Sequence, residues 1–293
     1  MQPVIKWTGS KRTQAEHIVK LIPDNINTYY EPFLGGGSML IRMIEECEKG
    51  NKHVKRFVAS DLNSDLIDIF RIIKDCPESL IEDYRLRSNV LRLSEMSRGW
   101  ECATEYYNSI RRLYNACEAQ DALRPYLLFF LTRTCFNGLI RYNSSGEFNT
   151  SFHVNRLGME PDRMEKIIRE WSRLLNKYDV RFAVSSFEYV LPLVENEDDF
   201  VYLDPPYANS TSKMYQHDVF DNEKLFEMMK QLPCKYAMSY DGRVDDEDNT
   251  FNVPTDLYVR HEYIDAKNSA FRKIVSQKTK LVQESLYMNY EKP

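Results

Sequence analysis

The feature that most constrains this chain is an alternation. Short apolar runs stop at turn residues, and stretches of helical period lie between them. YYEPFLGGG and KRFVASDLN fall within the first 75 residues, and DVRFAVSS, DDFVYLDPPY, CKYAMSYDG, DLYVRHEYID and ESLYMNY fall after residue 177. SMLIRMIEECEKG and NEKLFEMMKQL sit among them with apolar residues at helical spacing. Strand-sized runs separated by helices build βαβ units and a parallel sheet. The last two runs are expected to form an antiparallel pair closing the sheet.

Between these halves the character changes. Residues 77–134 are helical in pattern and rich in Arg, Leu, Tyr and Asn, with Leu80, Tyr84, Leu86, Leu91 and Leu93 near helical spacing. Asp121-Ala122-Leu123-Arg124-Pro125 opens a further helix, and RYNSSGEFNTSFH (residues 141–153) predicts a β-hairpin turning at Ser144-Ser145-Gly146. The expected organisation is one α/β domain in two parts, residues 1–76 and 178–293, with residues 77–177 inserted.

Charge follows the same division. The net charge is -5, yet residues 84–141 hold nine Arg against five acids, and residues 190–250 hold fourteen acids against five Lys and Arg. A locally basic insert in an acidic protein fits either nucleic acid or an ordinary solvated face. Six cysteines without CxxC spacing and five histidines argue against a structural zinc site and suit a reducing cytoplasm. No stretch approaches 18 consecutive apolar residues, so no membrane span is expected.

Three motifs carry chemistry. In Tyr30-Glu31-Pro32-Phe33-Leu34-Gly35-Gly36-Gly37-Ser38, a strand runs into three glycines and then a helix. Glycines admit positive φ and close ligand approach, although the spacing is neither a Walker loop nor GxGxxG. Asp61 ends the next apolar run, where a carboxylate can grip a ribose diol or simply cap a helix. The third motif, Asp204-Pro205-Pro206-Tyr207, ends a buried run. Its prolines stiffen the turn and remove two backbone donors, leaving a carboxylate and a carbonyl that suit an exocyclic amino group. Tyr207 offers a flat face for a planar ring. Pro233-Cys234 superficially matches a cytosine-methylating nucleophile, but it opens a strand well after the DPPY turn.

In this order the motifs resemble the DNA adenine N6-methyltransferase family of the Dam type (D12 class). Lys6-Trp7-Thr8-Gly9-Ser10-Lys11 is similar to its KWxGGK element, EPFLGGGS to its cofactor loop, and DPPY matches its catalytic motif unchanged. Arg133-Thr134-Cys135-Phe136-Asn137-Gly138-Leu139-Ile140-Arg141-Tyr142-Asn143, followed by Gly146-Glu147-Phe148-Asn149, resembles its DNA-contacting hairpin. The chain departs from the pattern at Ser10, Ser186 and Ser151.

The resemblance implies a Rossmann-like, seven-stranded, S-adenosylmethionine-dependent methyltransferase sheet with an inserted, mainly helical target-recognition domain carrying a β-hairpin. It further implies S-adenosylmethionine bound by Trp7, Lys11, Phe33, Gly35, Gly37, Asp61, Phe187 and Asp204. Double-stranded DNA would be contacted by Arg133, Phe136, Asn137, Leu139, Arg141 and Asn143, and Asp204, Pro205, Pro206 and Tyr207 would catalyse transfer to N6 of a flipped adenine. GATC is the leading target. A monomer without a metal is expected, with room for a cognate restriction enzyme as partner. Three alternatives stay open: a catalytically inactive DNA-binding homologue, a methyltransferase of an RNA base, and one of protein glutamine, although that last class carries Asn in place of Asp204.

Overall fold

A computed structural model describes residues 1–207, 220–244, 247–266 and 282–292. The elements run α1 (Ala15–Leu21), β1 (Asn25–Glu31), α2 (Ser38–Glu48), β2 (His53–Asp61), α3 (Ser64–Asp75), α4 (Pro77–Ala116), α5 (Arg124–Thr134) and α6 (Pro161–Lys177). They continue as β3 (Val180–Val184), α7 (Phe187–Val190), β4 (Phe200–Leu203), α8 (Asn222–Met229), β5 (Lys235–Val244), β6 (Glu247–Asp248), β7 (Arg260–Ala266) and β8 (Val282–Met288). The chain divides into two compact units. One takes in residues 1–10 and 63–177. The other holds 11–62 and 178–207 with the remaining described residues.

The second unit is built on one sheet in the order β3-β2-β1-β4-β5-β8-β7, with the two-residue β6 paired to β5. β3, β2, β1, β4 and β5 are parallel, and β8 runs antiparallel to both β5 and β7. The expected α/β class and seven-stranded path are therefore present, and the last two apolar runs do form an antiparallel pair. All four residues of β4 are buried, as a central parallel strand requires. Tyr29, Phe57 and Phe200 pack across β1, β2 and β4 beneath it. Strand order reverses between β1 and β4, so their carboxyl ends open a crevice where ligands of doubly wound sheets bind.

The first unit is helical. Met164, Ile167, Ile168, Trp171, Leu174 and Leu175 form the buried stripe of α6 at i, i+3, i+4 spacing. Trp171 packs tilted against Phe70, and its indole N–H donates to the Gln2 carbonyl at 3.0 Å. On α4 the expected stripe is only half right: Leu80, Tyr84 and Leu91 are buried, whereas Leu86 and Leu93 are each 63% exposed. The latter two stand two residues past buried positions, about 200° around the helix. The path of α4 breaks at Gly99, at φ 73° and ψ -167°, a conformation open to glycine.

The expected hairpin is reduced to isolated antiparallel bridges: Tyr142 pairs with Phe148 across the turn, and Phe152 on the returning arm pairs with Cys135, with no strand of regular length. Asn143 N–H donates to Glu147 O, and Asn149 N–H to Arg141 O. The Asn143 side chain accepts from the Ser145 and Glu147 amides, closing the turn around Gly146 at φ 76°. The returning arm is secured on one side by backbone bonds from Phe136 N–H to Ser151 O and from His153 N–H to Thr134 O, and on the other by α4. Asn115 pairs with both backbone groups of Phe148, donating at 3.0 Å and accepting at 2.9 Å. Arg111 and Tyr107 each donate to the Thr150 carbonyl. Positions 107, 111 and 115 repeat every four residues and so line one face of α4.

Candidate active site

The site is assembled at the carboxyl ends of β1, β2 and β4. The glycine loop leaves β1 with Gly35 and Gly37 at φ 48° and 68°, in the left-handed region that a Cβ penalises. Gly37 N–H closes the turn on Leu34 O, and α2 starts from Gly37. The loop is pinned to β2 twice: Leu34 N–H donates to Ser60 O, and Gly35 N–H donates to Asp61 Oδ2 at 3.0 Å. Asp61 does not cap the helix that follows. Asn63 does, accepting from Leu66 N–H. Phe33, Phe187 and Phe220 form an aromatic trio beside the loop, with centroids 5.5–5.8 Å apart. Ser186 caps α7 by accepting from the Glu188 amide.

After β4 the chain enters Asp204-Pro205-Pro206-Tyr207. The Lys11 ammonium, 4% exposed, lies 2.7 Å from Asp204 Oδ1 and 3.4 Å from Glu284 Oε2. It also sits 4.9 Å from the centre of the Tyr207 ring. Tyr207 donates its phenol to Glu284 Oε2 at 2.8 Å. Burial lowers the proton affinity of Lys11, but the two carboxylates outweigh it and hold the ammonium above its usual range. Burial works the other way on Asp204 and, with the Glu284 charge, outweighs Lys11, so its carboxyl is pushed up to about 6. Glu31, at the end of β1, is buried and accepts from the Tyr29 phenol at 3.0 Å. Burial, helped by the Asp204 charge, lifts its carboxyl well above the ordinary range.

The expected residues fall in different places. Lys11, Phe33, Gly35, Gly37, Asp61, Phe187, Asp204 and Tyr207 belong to the sheet unit, whereas Trp7, 8% exposed, belongs to the helical unit. Arg133 is 4% exposed, and its guanidinium donates to the Pro3 carbonyl and faces the Met159 sulfur. Phe136 is half-buried with its ring 5.1 Å from that of His153. Asn137 adopts φ 55° and bonds His153, while Leu139 O accepts from the Thr150 hydroxyl. Arg141 is exposed and donates to Asn149 Oδ1, and Asn143 donates to Glu147. Cys234 is 4% exposed, and burial pushes its thiol up to about 12, which disarms it as a nucleophile. Glu284 and Glu31 were not anticipated as site residues. Among the described residues no cluster of His, Cys, Asp or Glu is arranged to hold a metal ion, and no helix is long and apolar enough to cross a membrane.

An open sheet of this order, with a glycine loop after β1 and an Asp-Pro-Pro-Tyr turn after β4, defines the class: a Rossmann-like methyltransferase. The chain belongs to the D12 class N6 adenine-specific DNA methyltransferases, whose sequence profile matches residues 7–288. It is similar to the Type II methyltransferase M1.LlaDCHI of Lactococcus lactis subsp. cremoris, 32% identical over 80% of this chain and 78% of that protein. It is also similar to the Type II methyltransferase M.MjaIII of Methanocaldococcus jannaschii, 32% identical over 75% of each. The DNA adenine methylase of Haemophilus influenzae is 29% identical over 71% of this chain and 64% of its own length.

Proposed function

We propose that this adenine-specific DNA methyltransferase uses S-adenosylmethionine as donor and methylates N6 of an adenine flipped out of duplex DNA, with GATC as the leading target. The observation that carries the reading is the placement of Asp204 beside the glycine loop at the switch point of the sheet. The donor would supply an electrophilic methyl group on a sulfonium. The residues present fit it. The positive-φ turn at Gly35 and Gly37 leaves backbone approachable at the start of α2, Asp61 ends β2 where a ribose is gripped, and Phe33 and Phe187 offer apolar faces for an adenine ring. Lys11 pairs with Asp204 at 2.7 Å.

For the target base, extrusion costs on the order of a few kcal/mol. Residues 77–177 would offset that cost as a target-recognition domain, with Arg141 and Asn143 on the turn reading bases and phosphates. Arg133, buried against Pro3 and Met159, supports the fold of that unit in this reading, and Phe136 is the candidate wedge. The flipped adenine would stack on Tyr207. Its amino group would donate to the Asp204 carboxylate and the Pro205 carbonyl. Two acceptors on one nitrogen draw its lone pair out of conjugation and stabilise the positive charge that develops there. Positioning and electrostatics then supply the rate. The product nitrogen is acidic enough to release its extra proton, which Asp204 can hold briefly.

Sequencing with modified-base detection of DNA from cells expressing the protein tests chemistry and target together. N6-methyladenine at one recurring sequence is expected. Modification confined to RNA or to protein glutamine would overturn the reading.

A further inference from the structure

Glu284 contributes to this site from β8, far from the other site residues in sequence. A local irregularity seats it. The pairing of β5 with β8 shifts register between Tyr240 and Arg243. At Gly242, inside that shift, an added Cβ would collide with the Gln283 carbonyl oxygen and come within 2.8 Å of Glu284 Cα. The backbone of β8 therefore reaches its position only because residue 242 has no side chain. The Glu284 carboxylate so placed accepts from the Tyr207 phenol at 2.8 Å and stands 3.4 Å from Lys11 Nζ.

From this geometry we infer that Glu284 is a positioning residue for methyl transfer, orienting the Tyr207 ring through its phenol and dividing the Lys11 ammonium between itself and Asp204. The inference rests on the proposed reaction and deepens it. A phenol held at its far end fixes the plane on which the base would stack, so the amino group meets Asp204 and the Pro205 carbonyl in one geometry. The shared ammonium sets the charge that Asp204 experiences. Among the described residues, the groups facing Asp204 are Lys11 ahead of α1, Glu31 on β1, Tyr202 on β4, Tyr207 in its own turn and Glu284 on β8. Of these, Glu284 adds a negative charge that opposes ionisation of Asp204.

The test compares wild type with Glu284→Gln and Glu284→Ala in single-turnover transfer of labelled methyl groups to duplex DNA across pH 5–8. The Gln variant keeps an acceptor for the phenol and loses the charge, so the acidic limb of its rate profile moves down by about one unit while the plateau stays within about threefold. The Ala variant also frees the ring, and its plateau drops about tenfold or more with the dissociation constant for S-adenosylmethionine unchanged. In a Tyr207→Phe background, Glu284→Ala adds little further loss in the plateau. Wild-type limb and plateau in both variants would overturn the inference alone. An inactive wild type would bring down the proposed reaction instead. If the Ala variant does not fold, the limb of the Gln variant still decides the matter.

Discussion

Lys11 Nζ lies 2.7 Å from Asp204 Oδ1, and the lysine side chain is almost fully withdrawn from water. A buried ammonium between two carboxylates leaves an uncompensated charge when it is removed. Lys11→Met therefore lowers stability at pH 8 by about 3–5 kcal/mol, read from urea denaturation. The deficit shrinks toward pH 5, where Asp204 can take a proton. A variant as stable as wild type at pH 8 would show that the ion pair contributes nothing net.

In the proposed reaction Asp204 acts as the ionised carboxylate, the stronger acceptor and the form that stabilises developing positive charge, and its carboxyl is raised to about 6 by burial and by Glu284. The proton is therefore bound below about pH 6 and lost above it. The expected rate of transfer falls about tenfold per unit below that point and is flat up to pH 8. The same upward shift means that ionised Asp204 opposes folding at higher pH, with the loss of stability developing between the ordinary carboxylate value and about 6. A rate flat down to pH 4.5 contradicts this assignment.

Asp61 serves the loop as well as the proposed ribose. Asp61→Ala deprives Gly35 N–H of its acceptor, at a cost of about 1–3 kcal/mol, and deletes the grip at the end of β2. Isothermal titration is expected to give at least about tenfold weaker binding of S-adenosylmethionine. Binding equal to wild type would move the donor site elsewhere.

Asn115 holds the turn that carries Arg141 and Asn143. Asn115→Ala removes both hydrogen bonds to Phe148, together about 1–3 kcal/mol, on a segment whose backbone pairing is limited to isolated bridges. Discrimination between target duplexes and duplexes altered by one base pair should fall about tenfold, while donor affinity holds. Arg141→Ala should reduce the same discrimination directly. Unchanged sequence preference in both variants would remove this turn from recognition.

The alternation of apolar runs and helices made the sheet legible because parallel strands are buried on both faces and cannot hide their composition. The motif residues were legible for a related reason. Proline and glycine restrict the backbone locally, so the loop at Gly35–Gly37 and the turn at Asp204 announce themselves without tertiary information. Other features depend on the fold. Leu86 and Leu93 read as core by composition but face outward, since α4 is buried along a narrower stripe. The hairpin reads as strands, yet α4 supplies its partner groups through Asn115, Arg111 and Tyr107, and no local pattern reveals that. Arg133, which the resemblance makes a DNA contact, is enclosed. Glu284 reads as an ordinary acid opening a strand, and only the antiparallel placement of β8 against β5 brings it to Tyr207.

The most direct test is transfer of labelled methyl groups from S-adenosylmethionine to mixed-sequence duplex DNA by wild type and Asp204→Ala, with the DNA digested to nucleosides. Label on N6-methyladenine from the wild type is expected. The variant should lose about a hundredfold or more while binding the donor nearly as well. Label on another base, or transfer by Asp204→Ala at the wild-type rate, would contradict the account.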